Sequence, residues 1–197
     1  MKRILFLLIL CCQCSPFATA FARDEAHPFR LQSIQARFVQ EKNMKILARP
    51  LVSTGSFTFE APQSLRWQYH QPVASLLLMH KGTVRKFVGR DGTLVEEKGA
   101  QLDGMQMVLP HLSDWLNGRF GDTDMFKVAS ADEHRLLLKP QQQGMARLIS
   151  AIDIIFSETP GLIDAIILHE GSDATTTITF SERILNEDIS DEVFTSK

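Results

Sequence analysis

The sequence predicts an α+β fold: one large curved antiparallel sheet, with one or two short helices capping a partly open apolar concavity. Alternation is the first sign. In residues 53–59, Gly55, Phe57 and Phe59 fall on one face, and in 65–70 Leu65, Trp67 and Tyr69 face away from Arg66, Gln68 and His70. Repetition is the second sign, because such segments recur with glycine- and proline-bearing turns between them, as in a meander. The third is a shortage of helix. Helical spacing is confined to 23–32 and 105–116, too little to cover a sheet of about nine to eleven strands, so the sheet curls.

In chain order, a short helix fits 23–32, with Pro28 restricting where it starts. Ile34, Ala36 and Phe38 alternate with Gln35, Arg37 and Val39 in a strand reaching about Glu41. Strands 53–59 and 65–70 follow, parted by Ala61-Pro62. The denser run Leu76-Leu77-Leu78-Met79 within 73–80 is buried on both faces or passes beneath a covering layer. His80-Lys81-Gly82 and Gly89-Arg90-Asp91-Gly92 turn the chain on either side of strand 83–88. Met105, Val108, Leu109, Leu112, Trp115 and Leu116 then recur at helical spacing, with Asp103 as N-cap, Gly118 as C-cap and Pro110 as a kink. Strands resume at 125–130, 134–139, 148–157, 162–169 and 175–184.

Lys2-Arg3, an apolar run over 4–12 and the small-x-small sites Ala18-Thr19-Ala20 and Ala20-Phe21-Ala22 make 1–22 a cleavable signal peptide. Cleavage after Ala20 or Ala22 predicts a single mature domain over 23–197 and a periplasmic location. Cys11, Cys12 and Cys14 all leave with the leader, so the mature chain has neither disulfide nor thiolate chemistry. Loss of Lys2 and Arg3 leaves 19 basic against 23 acidic residues, a net charge of −4. No basic surplus points to nucleic acid, and no polybasic run to an anionic membrane. His27, His70, His80, His111, His134 and His169 are dispersed without ligand spacing, so no metal is expected. Asp122-Thr123-Asp124 reads as a turn. No Gly-x-Ser-x-Gly elbow or phosphate loop is present, and no catalytic residue or cofactor is expected.

Phe38-Val39-Gln40, Gly55 opening an aromatic strand, and the Pro62 turn into Leu65-Arg66-Trp67-Gln68-Tyr69 and Gln71-Pro72 resemble the periplasmic outer-membrane lipoprotein carriers, the LolA-like proteins. The tail, from Ile152 through Gly161, Ile178-Thr179-Phe180, Asn186 and Phe194, is similar to that family's closing hairpins. The resemblance implies an incomplete β-barrel with a helical lid over an apolar cavity. It also implies a carrier that takes an acylated lipoprotein from an inner-membrane donor to an outer-membrane acceptor. Where that family keeps Arg-Pro, with the arginine bonded to the lid, this chain has Ala61-Pro62. Arg66 or Arg49 could substitute. The short N-terminal helix and the missing arginine point to a divergent paralogue with another lipidic cargo.

The expected cargo-binding residues are Phe38, Phe57, Phe59, Leu65, Trp67, Tyr69, Leu76 and Leu78. Met105, Val108, Leu109, Leu112 and Trp115 form the expected lid, with Arg66 as its possible tether. Methionine repacks around varied shapes and suits such a lid, although ordinary core packing is the plain alternative. For Arg66 the plain alternative is a solvated strand charge. The expected function is a monomeric, non-enzymatic carrier of acyl chains; the alternative is a periplasmic sensor or scaffold of the same fold that binds a protein.

Overall fold

The computed structural model describes residues 31–98, 111, 114–115, 123–159 and 162–197. The leader 1–22, the helix expected at 23–32 up to residue 30, and Met105, Val108, Leu109 and Leu112 lie outside the described residues. Within them the alternating segments pair into eleven strands: β1 Ser33–Met44, β2 Leu51–Glu60, β3 Ser64–Gln71, β4 Ser75–His80, β5 Thr83–Arg90 and β6 Thr93–Glu96. After the 111–115 segment come β7 Phe126–Ala131, β8 Arg135–Pro140, β9 Ala151–Phe156, β10 Ile163–Glu170 and β11 Ala174–Leu185. They form one open antiparallel sheet in the order β6-β5-β4-β3-β2-β1-β11-β10-β9-β8-β7. Helix among the described residues is slight: residues 111 and 114–115, a single turn α1 at Gln143–Ala146, and a 3-10 turn at Asp191–Phe194.

The turns follow from residues able to take a left-handed backbone. Lys81 and Gly82 (φ 48° and 78°) close β4 onto β5, and Asp91 and Gly92 (φ 49° and 77°) close β5 onto β6. Two consecutive positive φ values suit a two-residue hairpin, whose twist matches that of the strands. Asn186 (φ 56°) ends β11, and its side-chain oxygen accepts the Gln32 backbone N–H at 2.8 Å. That bond joins the start of β1 to the end of β11.

The sheet is strongly curled. Trp67 on β3 and Phe180 on β11 are separated by β2 and β1, or about 14 Å along a flat sheet at ~4.8 Å per strand. Their ring centroids are only 6.1 Å apart. Register shifts between Gln35 and Arg37, Thr54 and Gly55, Ile163 and Ala165, and Val128 and Ser130 supply local bends. A single core cluster fills the concave face, from Leu65, Trp67 and Leu77 through Phe57, Phe38 and Phe180 to Ile154, Leu138 and Phe126.

Gly55 sits at the tightest point of this packing. A Cβ there would lie 2.3 Å from the Phe38 ring and 2.2 Å from the Gln68 carbonyl oxygen. Phe38 therefore lies across a strand position that has no side chain, and this brings it against Trp67 at 4.3 Å in a stacked arrangement. Gly55→Ala is expected to destabilise the protein by about 1–3 kcal/mol through overpacking, read by urea unfolding. An unchanged midpoint would mean that the ring is not seated there.

Candidate functional site

The concave face is built from strand alternation. Cross-strand register places Phe57 opposite Trp67, Phe59 opposite Leu65, Phe38 opposite Phe180, and Trp67 opposite Leu77. Phe38, Phe57, Phe59, Leu65 and Trp67 are thus brought together as expected, all buried in one cluster. Tyr69 lies half-buried at its edge, its ring 5.2 Å from Phe38 and its hydroxyl donating to Gln40 Oε1 at 2.7 Å. The floor continues beyond the expected residues into Ile152, Ile154, Ile166, Leu168, Ile178 and Phe180. The alternation of β9, β10 and β11 carries that signal.

Buried polar groups on this face are few: Thr176, opposite Leu168, donates to Glu170 Oε2 at 2.6 Å, and another is Trp67. It is only 1 % exposed, yet its indole Nε1 has no hydrogen-bond acceptor among the described residues. A buried donor without an acceptor costs about 1–3 kcal/mol. At the rim, Lys86 pairs across from Leu77 and so reaches the same face, where it meets Glu97 at 3.6 Å.

Two expectations are corrected. Leu76 and Leu78 do not join the aromatic face. Register pairs Leu78 with Arg66 and Leu76 with Gln68, so both lie on the outer face, where they cluster with Phe87 and Leu94. Leu77 takes the inner place. Arg66, on that same outer face, tethers the C-terminal tail instead of a lid. Its Nη1 donates to the Val193 and Ser196 carbonyls at 3.0 and 2.7 Å, while Nε and Nη2 hold Gln68 Oε1. Partial burial lowers its pKa, but a guanidinium stays charged in proteins. Arg85 to Thr195, Lys81 to Asp191 and the Phe194 ring stacked on His80 at 5.9 Å complete the strap. Arg49 is exposed in the β1–β2 connection, at the opposite end of the strands from Ala61. Neither arginine stands where the resemblance would place a latch.

Of the expected lid, only Trp115 is among the described residues. It is 4 % exposed and belongs to the core cluster, with Phe126 at 6.4 Å and His111 at 6.1 Å. This helical residue covers the β7 side of the face.

A second feature is an open groove of about 570 Å³ on the outer face, lined by Lys45, Arg135, Lys139, Asp153 and His169 among others. Buried Asp153 accepts from Arg135 Nε at 2.6 Å and lies 2.8 Å from His169 Nε2. Burial alone pushes its carboxyl up, but the hydrogen bonds and charges of Arg135 and His169 outweigh this and hold it below the ordinary value. The arrangement ties β8, β9 and β10 together. Among the described residues, no group of three or more His, Cys, Asp or Glu could hold a metal.

A curled, open antiparallel sheet with one continuous apolar concave face defines the half-barrel class of proteins, in which that face is the candidate working surface. Residues 30–197 match the family described as outer membrane lipoprotein carrier protein LolA, and the chain belongs to that family. Among solved structures, a DUF1329 family protein from Desulfovibrio piger is 12 % identical, with 83 % of this chain and 90 % of that chain covered and a TM-score of 0.44. A LolA superfamily protein from Nitrosomonas europaea is 10 % identical, with 84 % and 91 % covered and the same TM-score, 0.44. The MucA/MucB complex of Pseudomonas aeruginosa is 16 % identical, with 81 % and 54 % covered and a TM-score of 0.36. Comparison with curated proteins returns no match. No helix among the described residues is long and apolar enough to cross a membrane.

Two outcomes are expected. Arg66→Ala should lower stability by about 1–3 kcal/mol and speed amide exchange over 193–196, with exchange in β1 and β2 tracking only the global change. Uniform exchange across the chain would deny the strap. Asp153 has a depressed folded-state pKa, so its stabilisation is present above the ordinary carboxylate range and is lost as pH falls through the folded value. Asp153→Asn should therefore be less stable than wild type by about 1–3 kcal/mol at neutral pH, a gap that closes in acid urea titrations.

Proposed function

We propose that the protein is a non-enzymatic carrier whose concave face takes the acyl chains of a lipoprotein or similar lipidic cargo and ferries it towards the outer membrane. It works in the periplasm after loss of the 1–22 leader, between an inner-membrane donor and an outer-membrane acceptor. Phe38, Phe57, Phe59, Leu65, Trp67 and Tyr69 contact the cargo. Met105, Val108, Leu109 and Leu112, with Trp115, form the lid.

Trp67 carries this reading. An apolar face with one buried N–H lacking an acceptor among the described residues suits a ligand that is mostly hydrocarbon with a carbonyl. Each methylene taken from water contributes roughly 0.8 kcal/mol, and an acyl ester or amide oxygen would satisfy the indole. The side chains of the face are buried, so cargo entry requires displacement of what now covers them. That opening lowers net affinity, which a carrier needs in order to release its load.

The test must keep the core apolar. Leu65 is 3 % exposed within the continuous cluster, so Leu65→Glu would bury an unpaired carboxylate and report on folding. Trp67→Phe removes the N–H and keeps an apolar ring. Native mass spectrometry of wild-type protein recovered from a secreting bacterium should find acylated species bound. Trp67→Phe should bind an acylated peptide about five- to tenfold more weakly, the worth of one hydrogen bond, while staying folded with some loss of thermal stability to the volume the smaller ring leaves empty. A wild-type protein that comes out empty and binds no acylated peptide would sink the proposal.

A further inference from the structure

Five strand connections lie at one end of the sheet: β1–β2, β3–β4, β5–β6, β8–β9 and β10–β11, as the register of Met44 with Ala174, Tyr69 with Ser75, Ser75 with Val88, Arg90 with Thr93 and Ala151 with His169 requires. Of the ten large apolar side chains exposed among the described residues, six are at this end: Ile46, Leu47, Leu51, Val52, Val73 and Leu148. The rest are scattered over other parts of the sheet, so the clustering is a property of this end. Ile46 is 83 % exposed and stands at the tip of the β1–β2 connection.

The charged residues next in sequence to these side chains are basic. Ile46 and Leu47 lie between Lys45 and Arg49, and Leu148 follows Arg147. No acidic residue occurs in 42–59, 61–90 or 134–152, the stretches that carry all three apolar connections. Acids also stand at this end: Glu170 pairs with Lys42 and Asp173 with Lys45, and Asp91 lies in the β5–β6 turn. Arg49, Lys139 and Arg147 make no ion pair among the described residues. The basic residues are thus adjacent in sequence to the apolar tips, in a chain whose formal charge is −2 overall.

We propose that this end of the sheet docks on an anionic phospholipid surface, Ile46 and Leu47 entering the bilayer interface while Arg49 and Arg147 lie against the phosphates. The apolar residues project from separate turns and enclose no groove. A protein partner would need a socket for each of them, whereas a fluid interface accommodates all of them at once. Apolar insertion combined with basic contacts is the usual basis of interfacial binding. Docking here would bring the Tyr69 and Gln40 edge of the concave face close to the membrane, yet it does not depend on the concave face holding a lipid.

The processed chain, its N-terminus read by mass spectrometry, should float with vesicles of phosphatidylglycerol and phosphatidylethanolamine and bind phosphatidylcholine vesicles at least about tenfold more weakly. Ile46→Asp with Leu47→Asp should lose about tenfold or more of that binding at unchanged thermal stability, because both side chains are exposed. Arg49→Gln with Arg147→Gln should weaken binding to the anionic vesicles alone. Val39→Asp, exposed in mid-strand away from this end, should leave it unchanged. Failure to float, equal binding to neutral vesicles, or indifference to the Ile46 and Leu47 changes overturns the proposal. So does a wild-type dimer that those changes convert to monomer, which would make this end an interface between copies.

Discussion

Phe38 can lie flat across β2 only because position 55 has no Cβ. From that seat it stacks on Trp67 and meets Tyr69 edge-on, while Trp67 reaches across to Phe180. The concave face is organised around this contact. Aromatic pairs contribute about 0.5–1.5 kcal/mol each beyond their buried area, and here they link β1, β2, β3 and β11 at the centre of the sheet order. Ala36, opposite Phe57, is a small residue on β1, the strand across which the rings of Phe57 on β2 and Phe180 on β11 approach to 5.9 Å. The curl is thus written in two small residues placed among large ones.

The two faces of the left half divide the labour. The inner side of β3 and β4 contributes Leu65, Trp67 and Leu77 to the concave core. The outer side would leave Leu76, Leu78 and Phe87 in water, and instead the chain's last residues lie near it, held by Arg66, Arg85 and the His80–Phe194 stack. On the right half the outer face mixes half-buried Leu137, Ile155 and Ile167 with Asp153, which is pinned between Arg135 and His169. A sheet closed on one side by a strap and on the other by ion pairs is free to use its concave surface as the adaptable one.

Most of the sheet was legible in the sequence because alternation with period two is insensitive to long-range context. Ten strands fall where that pattern puts them, with ends shifted by a few residues. The four-residue β6 escaped, since Thr93-Leu94-Val95-Glu96 is too short to alternate visibly and its stability comes from pairing with β5. The parity of Leu76-Leu77-Leu78 escaped for a different reason. A continuous apolar run has no preferred face, and only the register across from Trp67 selects Leu77. Arg66 was misassigned because its partners are backbone carbonyls more than a hundred residues away, which leave no mark in composition. The aromatic cluster itself, the best-supported part of the candidate site, was readable from Phe57, Phe59, Leu65 and Trp67 alone.

The central claim is that the Trp67 indole points into a face built to receive an acyl chain with its carbonyl. The most direct measurement follows the two indole N–H resonances, Trp67 and Trp115, in ¹⁵N-labelled protein titrated with a lipid-modified cysteine peptide. The account predicts a downfield shift and slowed solvent exchange of the Trp67 indole on binding. A peptide that binds while the Trp67 resonance stays in place would contradict it.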